Sequence, residues 1–279
     1  LQWTFQPRDL ELGRLVRKTG DRLHVQVSYA NTEQVGFSFG PSTTKQIPDT
    51  YVEGGPMPFG ASTLFFPPKE VLTTLKAVAA TREQLKIIGF GDTYLDLIRA
   101  LRAPRSYNDI PEALDRILKG LDDIFAGTIR QKEDETFEYR RGSSRYEMTQ
   151  TAEGIKKVGS LVHLIRNGTI RTGSTLFFDE PGANLHPRAM LEFVDMLFQL
   201  GQAGVQIFVA THSYVVLKQF ELLAREHLGP MERMPLCVLS PEEDGVKARF
   251  ADLSDRIPQN SIVDASVELL ERDLSLSMK

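Results

Sequence analysis

Hydrophobic and polar positions change period several times along the chain, and each change marks an element. Residues 23–29 and 35–39 alternate with period two about Asn31 and Thr32, which predicts a β-hairpin. Residues 136–140 and 145–149 do the same about Gly142, Ser143 and Ser144, and predict a second hairpin. Residues 62–66, 175–178 and 205–210 are apolar without alternation, as expected of strands buried on both faces of a parallel sheet. Apolar residues recur at helical spacing over 69–80, 94–101 and 111–125, where Leu114, Ile117, Leu118 and Leu121 make one stripe. The same holds for 151–165, which ends at Asn167-Gly168, and for 188–202, which Pro187 opens and Gly201 and Gly204 stop. Residues 214–226 and 264–274 predict two more helices, and 234–239 and 246–253 two more strands. Residues 40–60, with Pro41, Pro48, Pro56 and Pro58 and with Gly54, Gly55 and Gly60, read as a loop. Helices alternating with buried strands predict an α/β fold in which a mixed or parallel sheet is flanked by helices.

The polar residues that end two of the apolar strands carry the chemistry. Asp179 and Glu180 close the run 175–178, and Thr211-His212-Ser213 closes the run 205–210. Parallel sheets bind ligands beyond the carboxyl ends of their strands, so these residues face a site. Hydrolysis of a phosphoanhydride needs a hard cation, a base that orients water, and donors for the transferred group. Asp179, Glu180 and His212 match those three roles.

Together, Leu-Phe-Phe-Asp-Glu-Pro (176–181), Gly-Ala-Asn-Leu-His-Pro (182–187) and Ala-Thr-His-Ser (210–213) resemble the extended Walker B motif, the D-loop and the switch-histidine loop of ABC-type ATPases. The pattern is most similar to the soluble SMC-like and OLD-like AAA-family P-loop ATPases. The resemblance implies a P-loop NTPase fold of the ABC-type ATPase head: one domain, with an N-terminal β-hairpin region, a helical lobe inserted at 81–135, and a core over 137–213. It implies ATP and Mg2+ as cofactors, with Asp179 on the metal, Glu180 polarising water and His212 touching the γ-phosphate. Thr151, Ala152 and Gly154 fall where such proteins carry their signature motif, with Ala152 in place of the usual serine, and Asn184 lies in the D-loop. The segment from Phe66 to Leu72 resembles the surroundings of the Q-loop, without a glutamine. Proteins of this kind form head-to-tail homodimers through their ATP sites and switch a partner effector, often a nuclease or toxin, in anti-phage defence or DNA repair.

Composition narrows the rest. A net charge of −4 makes no electrostatic case for nucleic acid, although Arg140, Arg141 and Arg145 cluster. One cysteine, Cys237, rules out an internal disulfide and suits a reducing, cytoplasmic setting, and no apolar run is long enough for a membrane span. A G-x-x-x-x-G-K-[ST] phosphate loop is missing from the sequence, which starts at Leu1. The expectation is an N-terminally truncated ATPase that does not turn over on its own. Two alternatives stand beside it: a scaffold that keeps the fold only to dimerise, and a metallohydrolase built on Asp179, Glu180, His186 and His212.

Overall fold

The computed structural model describes residues 11–28, 34–44, 46–47, 49–53, 62–85, 90–104, 110–125, 127–243, 245–255 and 257–278. The first predicted hairpin is present as β1 (Leu23–Ser28) and β2 (Gln34–Phe39), antiparallel with Val25 opposite Phe37. Its Asn31-Thr32 turn lies outside the described residues. A third strand, β3 (Asp49–Glu53), extends this sheet from within the segment read as a loop. Prolines and glycines dominated that reading, and the short run of Tyr51 and Val52 was hidden between them. A small core of Leu12, Val16 and Phe39 lies beneath the sheet.

The next strand, β4 (Thr63–Phe66), belongs to the central sheet. The helix predicted from residue 69 starts later, as α1 (Leu75–Ala79), and continues as a π turn over Ala80–Gln84. Glu70 accounts for the delay, because its carboxylate accepts hydrogen bonds from the amide and hydroxyl of Thr73 and holds residues 70–73 in a turn. Two helices follow, α2 (Asp92–Arg102) and α3 (Glu112–Phe125). The second hairpin gains an unpredicted partner. Strands β5 (Thr128–Gln131), β6 (Phe137–Arg141) and β7 (Ser144–Glu147) form an antiparallel sheet, and Met148–Gln150 turns in a 3-10 helix.

Helix α4 (Glu153–Arg166) then leads to β8 (Thr175–Asp179), α5 (Pro187–Gln202), β9 (Gln206–Ala210) and α6 (Tyr214–His227). Gly201 lies inside α5 rather than ending it, and Gly204, at φ 84°, makes the turn into β9. The chain closes with the hairpin β10 (Pro235–Glu242) and β11 (Gly245–Asp252), the first of which runs beyond the predicted end at residue 239, and with α7 (Ser261–Ser277). Cys237 is exposed on β10.

The strands β4, β8 and β9 are parallel in that order, with Phe65, Phe177 and Phe208 in one cross-strand row. Leu64, Phe66, Leu176 and Phe178 point the other way and are buried, with Phe66 and Phe178 stacked. On that side the sheet packs against a single core to which α2, α3, α4, α5 and α6 all contribute. The expectation of strands buried on both faces is corrected here. Phe177 and Phe208 stack on each other at 4.7 Å yet remain 38% and 48% exposed, because the described elements cover one face only.

His163, on α4, lies in this core. Its Nε2 donates to the Leu101 carbonyl at 2.9 Å and its ring meets Phe137 edge-on. Burial pushes its pKa below the ordinary 6.5; the Leu101 contact opposes this and Arg166 adds to it. The unfolded chain therefore binds the proton more readily than the native one. This contribution is absent above about pH 6.5 and subtracts stability as the pH falls below that value. Urea denaturation of His163→Gln is expected to show a flatter loss of stability on acidification than the parent protein.

Candidate functional site

Asp179 and Glu180 stand at the C-terminal end of β8, directly beside the end of β9, where Asp179 pairs with Ala210. The amide of Glu180 still donates to the Ala210 carbonyl at 2.9 Å, after which the chain turns sharply. Glu180 has φ 49° and Asn184 φ 62°, left-handed values that cost a non-glycine residue about 1–3 kcal/mol each. Gly182 lets this loop lie against α6, since a Cβ there would come within 2.9 Å of Val216.

The Glu180 carboxylate is held by three donors. Its Oε1 accepts from the His212 amide at 2.8 Å and from His212 Nδ1 at 2.6 Å, and its Oε2 accepts from the Thr211 hydroxyl at 3.1 Å. A carboxylate can only accept here, so Nδ1 carries the proton, leaving Nε2 as the nitrogen that meets a ligand. The His212 side chain is 85% exposed while that of Glu180 is 19% exposed, so the dyad reaches outward from a fixed base. Thr211 also accepts from the Ser213 amide, and Ser213 caps α6 at Val216.

Asp179 is half-buried and borders a cavity of about 30 Å³ shared with Lys157, Ser160, Lys69 and Glu70. The turn that resembles the Q-loop surroundings is thus adjacent to the metal-ligand candidate. Tyr94 lies close enough for Asp179 to reinforce the upward shift that burial gives its phenol. A lone hard carboxylate of this kind suits Mg2+, which takes one or two protein ligands and completes its shell with water and phosphate oxygens.

A second region forms at the start of α4. A cleft of about 200 Å³ is lined by Ala152, Gly154, Asn184, His186 and Glu192. It joins the segment that resembles the signature motif to the loop after Glu180, and Gly154 lets Leu185 approach to 3.0 Å of where a Cβ would lie. Ala152 is the exposed N-cap of α4 and offers no side-chain cap. Thr151 is buried, and its hydroxyl donates to the Glu147 carbonyl. The Nδ1 of His186 accepts from the Arg188 amide as the cap of α5, and among the described residues no group of three or more His, Cys, Asp or Glu side chains could hold a metal. The four residues of the metallohydrolase alternative do not converge.

Lys157 escaped the sequence reading. It reaches from α4 to the carbonyls of Glu180, at 3.3 Å, and Ala183, at 2.8 Å. Burial pushes its pKa down, against Glu153 and Glu180, which raise it. Its place one turn into the helix after residues 151–154 was the available signal.

The parallel order, the carboxylate pair at one strand end and the histidine at the next define a P-loop ATPase fold of the SMC and ABC-like class. The profile of the family described as "AAA domain, putative AbiEii toxin, Type IV TA system" matches residues 77–218, just over half of the chain, and the chain belongs to that family. No curated protein matches the sequence. Similar solved structures include an SMC head bound to the C-terminal winged-helix domain of ScpA, at 12% identity and TM-score 0.51, covering 87% of this chain and 80% of that one. They also include the SMC head domain from Thermotoga maritima, at 12% identity and TM-score 0.43, covering 82% and 73%. An Smc head with an extended coiled coil bound to the C-terminal domain of ScpA from Pyrococcus furiosus has 10% identity and TM-score 0.46, covering 95% and 85%. Among the described residues no helix is long and apolar enough to cross a membrane.

Proposed function

We propose that the chain forms the Walker B, D-loop and switch-histidine part of an ATP-hydrolysing site, and that this site works as a switch between two head-to-tail protomers. One observation carries the reading: Glu180 is clamped by Thr211 and His212 across the ends of adjacent strands, beside the half-buried carboxylate of Asp179. In this reading Asp179 would hold Mg2+, which supplies charge neutralisation for the phosphates. Glu180 accepts a proton from the attacking water, and His212 Nε2 faces the transferring group. The cleft at the α4 N-terminus, with Gly154 and Asn184, receives the phosphates bound by the other protomer, helped by free amides at the helix start. The partner is an effector protein, and the toxin–antitoxin wording of the family supports a defence role over DNA repair.

The cleft is smaller than the roughly 300–1,000 Å³ of small-molecule sites, which agrees with a site shared between chains. A non-catalytic dimerisation module is the second reading, favoured by the inward-turned Thr151 hydroxyl and the lack of one at Ala152.

Residues 1–279 carry no G-x-x-x-x-G-K-[ST] loop, the motif whose amides and lysine cradle the β-phosphate in P-loop enzymes. The expected result is no steady-state ATP hydrolysis by this chain alone, measured as phosphate release with Mg2+. A form of the protein that supplies such a loop is expected to hydrolyse ATP and to dimerise with it. Both properties should disappear in Asp179→Ala. A looped form that neither binds nor hydrolyses ATP overturns the ATPase reading in favour of the scaffold.

A further inference from the structure

Glu180 is fixed at two ends by different parts of the chain. Its carboxylate is held by the loop after β9, as described above. Its main chain is held by α4, because Lys157 donates both to its carbonyl and to that of Ala183. These two carbonyls bracket the Glu180–Ala183 turn, in which the Ala183 amide donates back to the Glu180 carbonyl at 3.0 Å and the Leu185 amide donates to Gly182 at 3.2 Å. The turn is closed at both ends by left-handed non-glycine residues, so it needs outside contacts to persist. A half-buried ammonium with carbonyl acceptors is such a contact, since hydrogen bonds with a charged donor are stronger than neutral ones.

The neighbouring lysine does something else. Lys156 Nζ lies 3.6 Å from Glu70 and 2.9 Å from Glu153, and joins α4 to the turn after β4. Consecutive lysines on one helix therefore reach two different loops, and the one that reaches the catalytic candidate is Lys157.

We propose that Lys157 is a positioning residue: it holds the Glu180–Ala183 main chain so that the Glu180 carboxylate stays aimed from the end of β8, and it ties that aim to the position of the α4 N-terminus. The consequence for turnover rests on the ATPase reading of Glu180; the hold on the loop does not. The link between the first turn of α4 and the loop is one hydrogen bond to Glu180 and one to Ala183.

The test separates the two levels. Hydrogen–deuterium exchange is measured on the protein without nucleotide, for the parent chain, Lys157→Met and Lys157→Arg. Methionine keeps length and apolar bulk but has no donor. The expected result is exchange at the Ala183 and Leu185 amides at least tenfold faster in Lys157→Met, with the Glu180 amide, bonded to Ala210 within the sheet, and the amides of α3 unchanged. Arginine, which retains charge and donors, is expected to restore most of the protection. A general loss of packing would instead raise exchange in α3 as well, and that outcome overturns a local role. Unchanged exchange at Ala183 and Leu185 in Lys157→Met also overturns the proposal. If Lys157→Met loses its native circular-dichroism spectrum, Lys157→Leu, which likewise has no donor, takes its place in the same comparison. In a form that turns over ATP, Lys157→Met is expected to lower kcat about tenfold or more with KM little changed. Faster loop exchange with an unaltered kcat would mean that the lysine holds the loop without serving Glu180, and overturns positioning. Absence of ATP turnover in every form, with loop exchange behaving as expected, overturns only the ATPase reading.

Discussion

Replacing Lys156 with methionine is expected to lower the stability of the fold by about 3–5 kcal/mol, the typical result of removing one partner from a buried ion pair. The Lys156 side chain is 7% exposed and that of Glu70 5% exposed, so neither charge is hydrated in the native state. Glu153, the other partner of Lys156, is 37% exposed and simply regains water when the lysine is lost. Glu70 is more deeply buried, and among the described residues the amide and hydroxyl of Thr73 are the donors that remain to it. A protein of this size has about 5–15 kcal/mol to lose, so the single substitution removes a large fraction of the total. The double substitution Lys156→Met with Glu70→Gln removes the stranded charge and is expected to recover a large part of the loss. Urea denaturation of the two single variants and the double variant measures this. A double variant no more stable than Lys156→Met would show that packing, not charge, gives Lys156 its weight.

Substitution of Glu180 by glutamine is expected to lower turnover by about 10²–10⁴-fold while leaving ATP binding intact, in a form of the protein that hydrolyses ATP. The geometry explains why glutamine is the informative replacement. Oε1 accepts two donors from His212, and an amide oxygen placed there still accepts both. The second position becomes an NH2 group facing the Thr211 hydroxyl, whose oxygen can accept, so this hydrogen bond reverses rather than disappears. The loop therefore keeps its shape and loses only the basicity that takes a proton from water. Size-exclusion chromatography with ATP is expected to show the variant retained as a dimer, because the step that would release the two protomers has been slowed. Wild-type turnover by Glu180→Gln would remove Glu180 from the chemistry.

Most of the central architecture was legible because the apolar runs were sharply bounded, two by distinctive polar residues and the run 62–66 by Pro67-Pro68. The strands ending at Asp179 and Ala210 and the helix opened by Pro187 are nearly where their periods put them. What escaped were elements whose signal is non-local. Strand β3 has one short apolar stretch among turn residues and exists because β2 pairs with it. Strand β5 has only Ile129 buried, and is defined by the edge that β6 offers. The delayed start of α1 depends on one carboxylate bonding backward to the chain. At the site, the pairing of Glu180 with His212 could be anticipated from two adjacent strand ends, whereas Lys157 had only its place one turn into α4 to announce it, because its acceptors are main-chain carbonyls, which every residue carries. Burial on both sheet faces was inferred from apolar runs alone, and runs record a tendency to be covered without recording what does the covering.

The aromatic row across the outer face of the central sheet bears on how the molecule behaves in a crowded solution. Phe177 and Phe208 present stacked rings to water, and among the described residues β9 has no strand on its far side. To a chaperone, or to a neighbouring copy, such a face resembles that of a half-folded protein. Self-association through that row is therefore expected to rise with concentration and to be reversed by dilution, while the buried core on the other side of the sheet stays as it is.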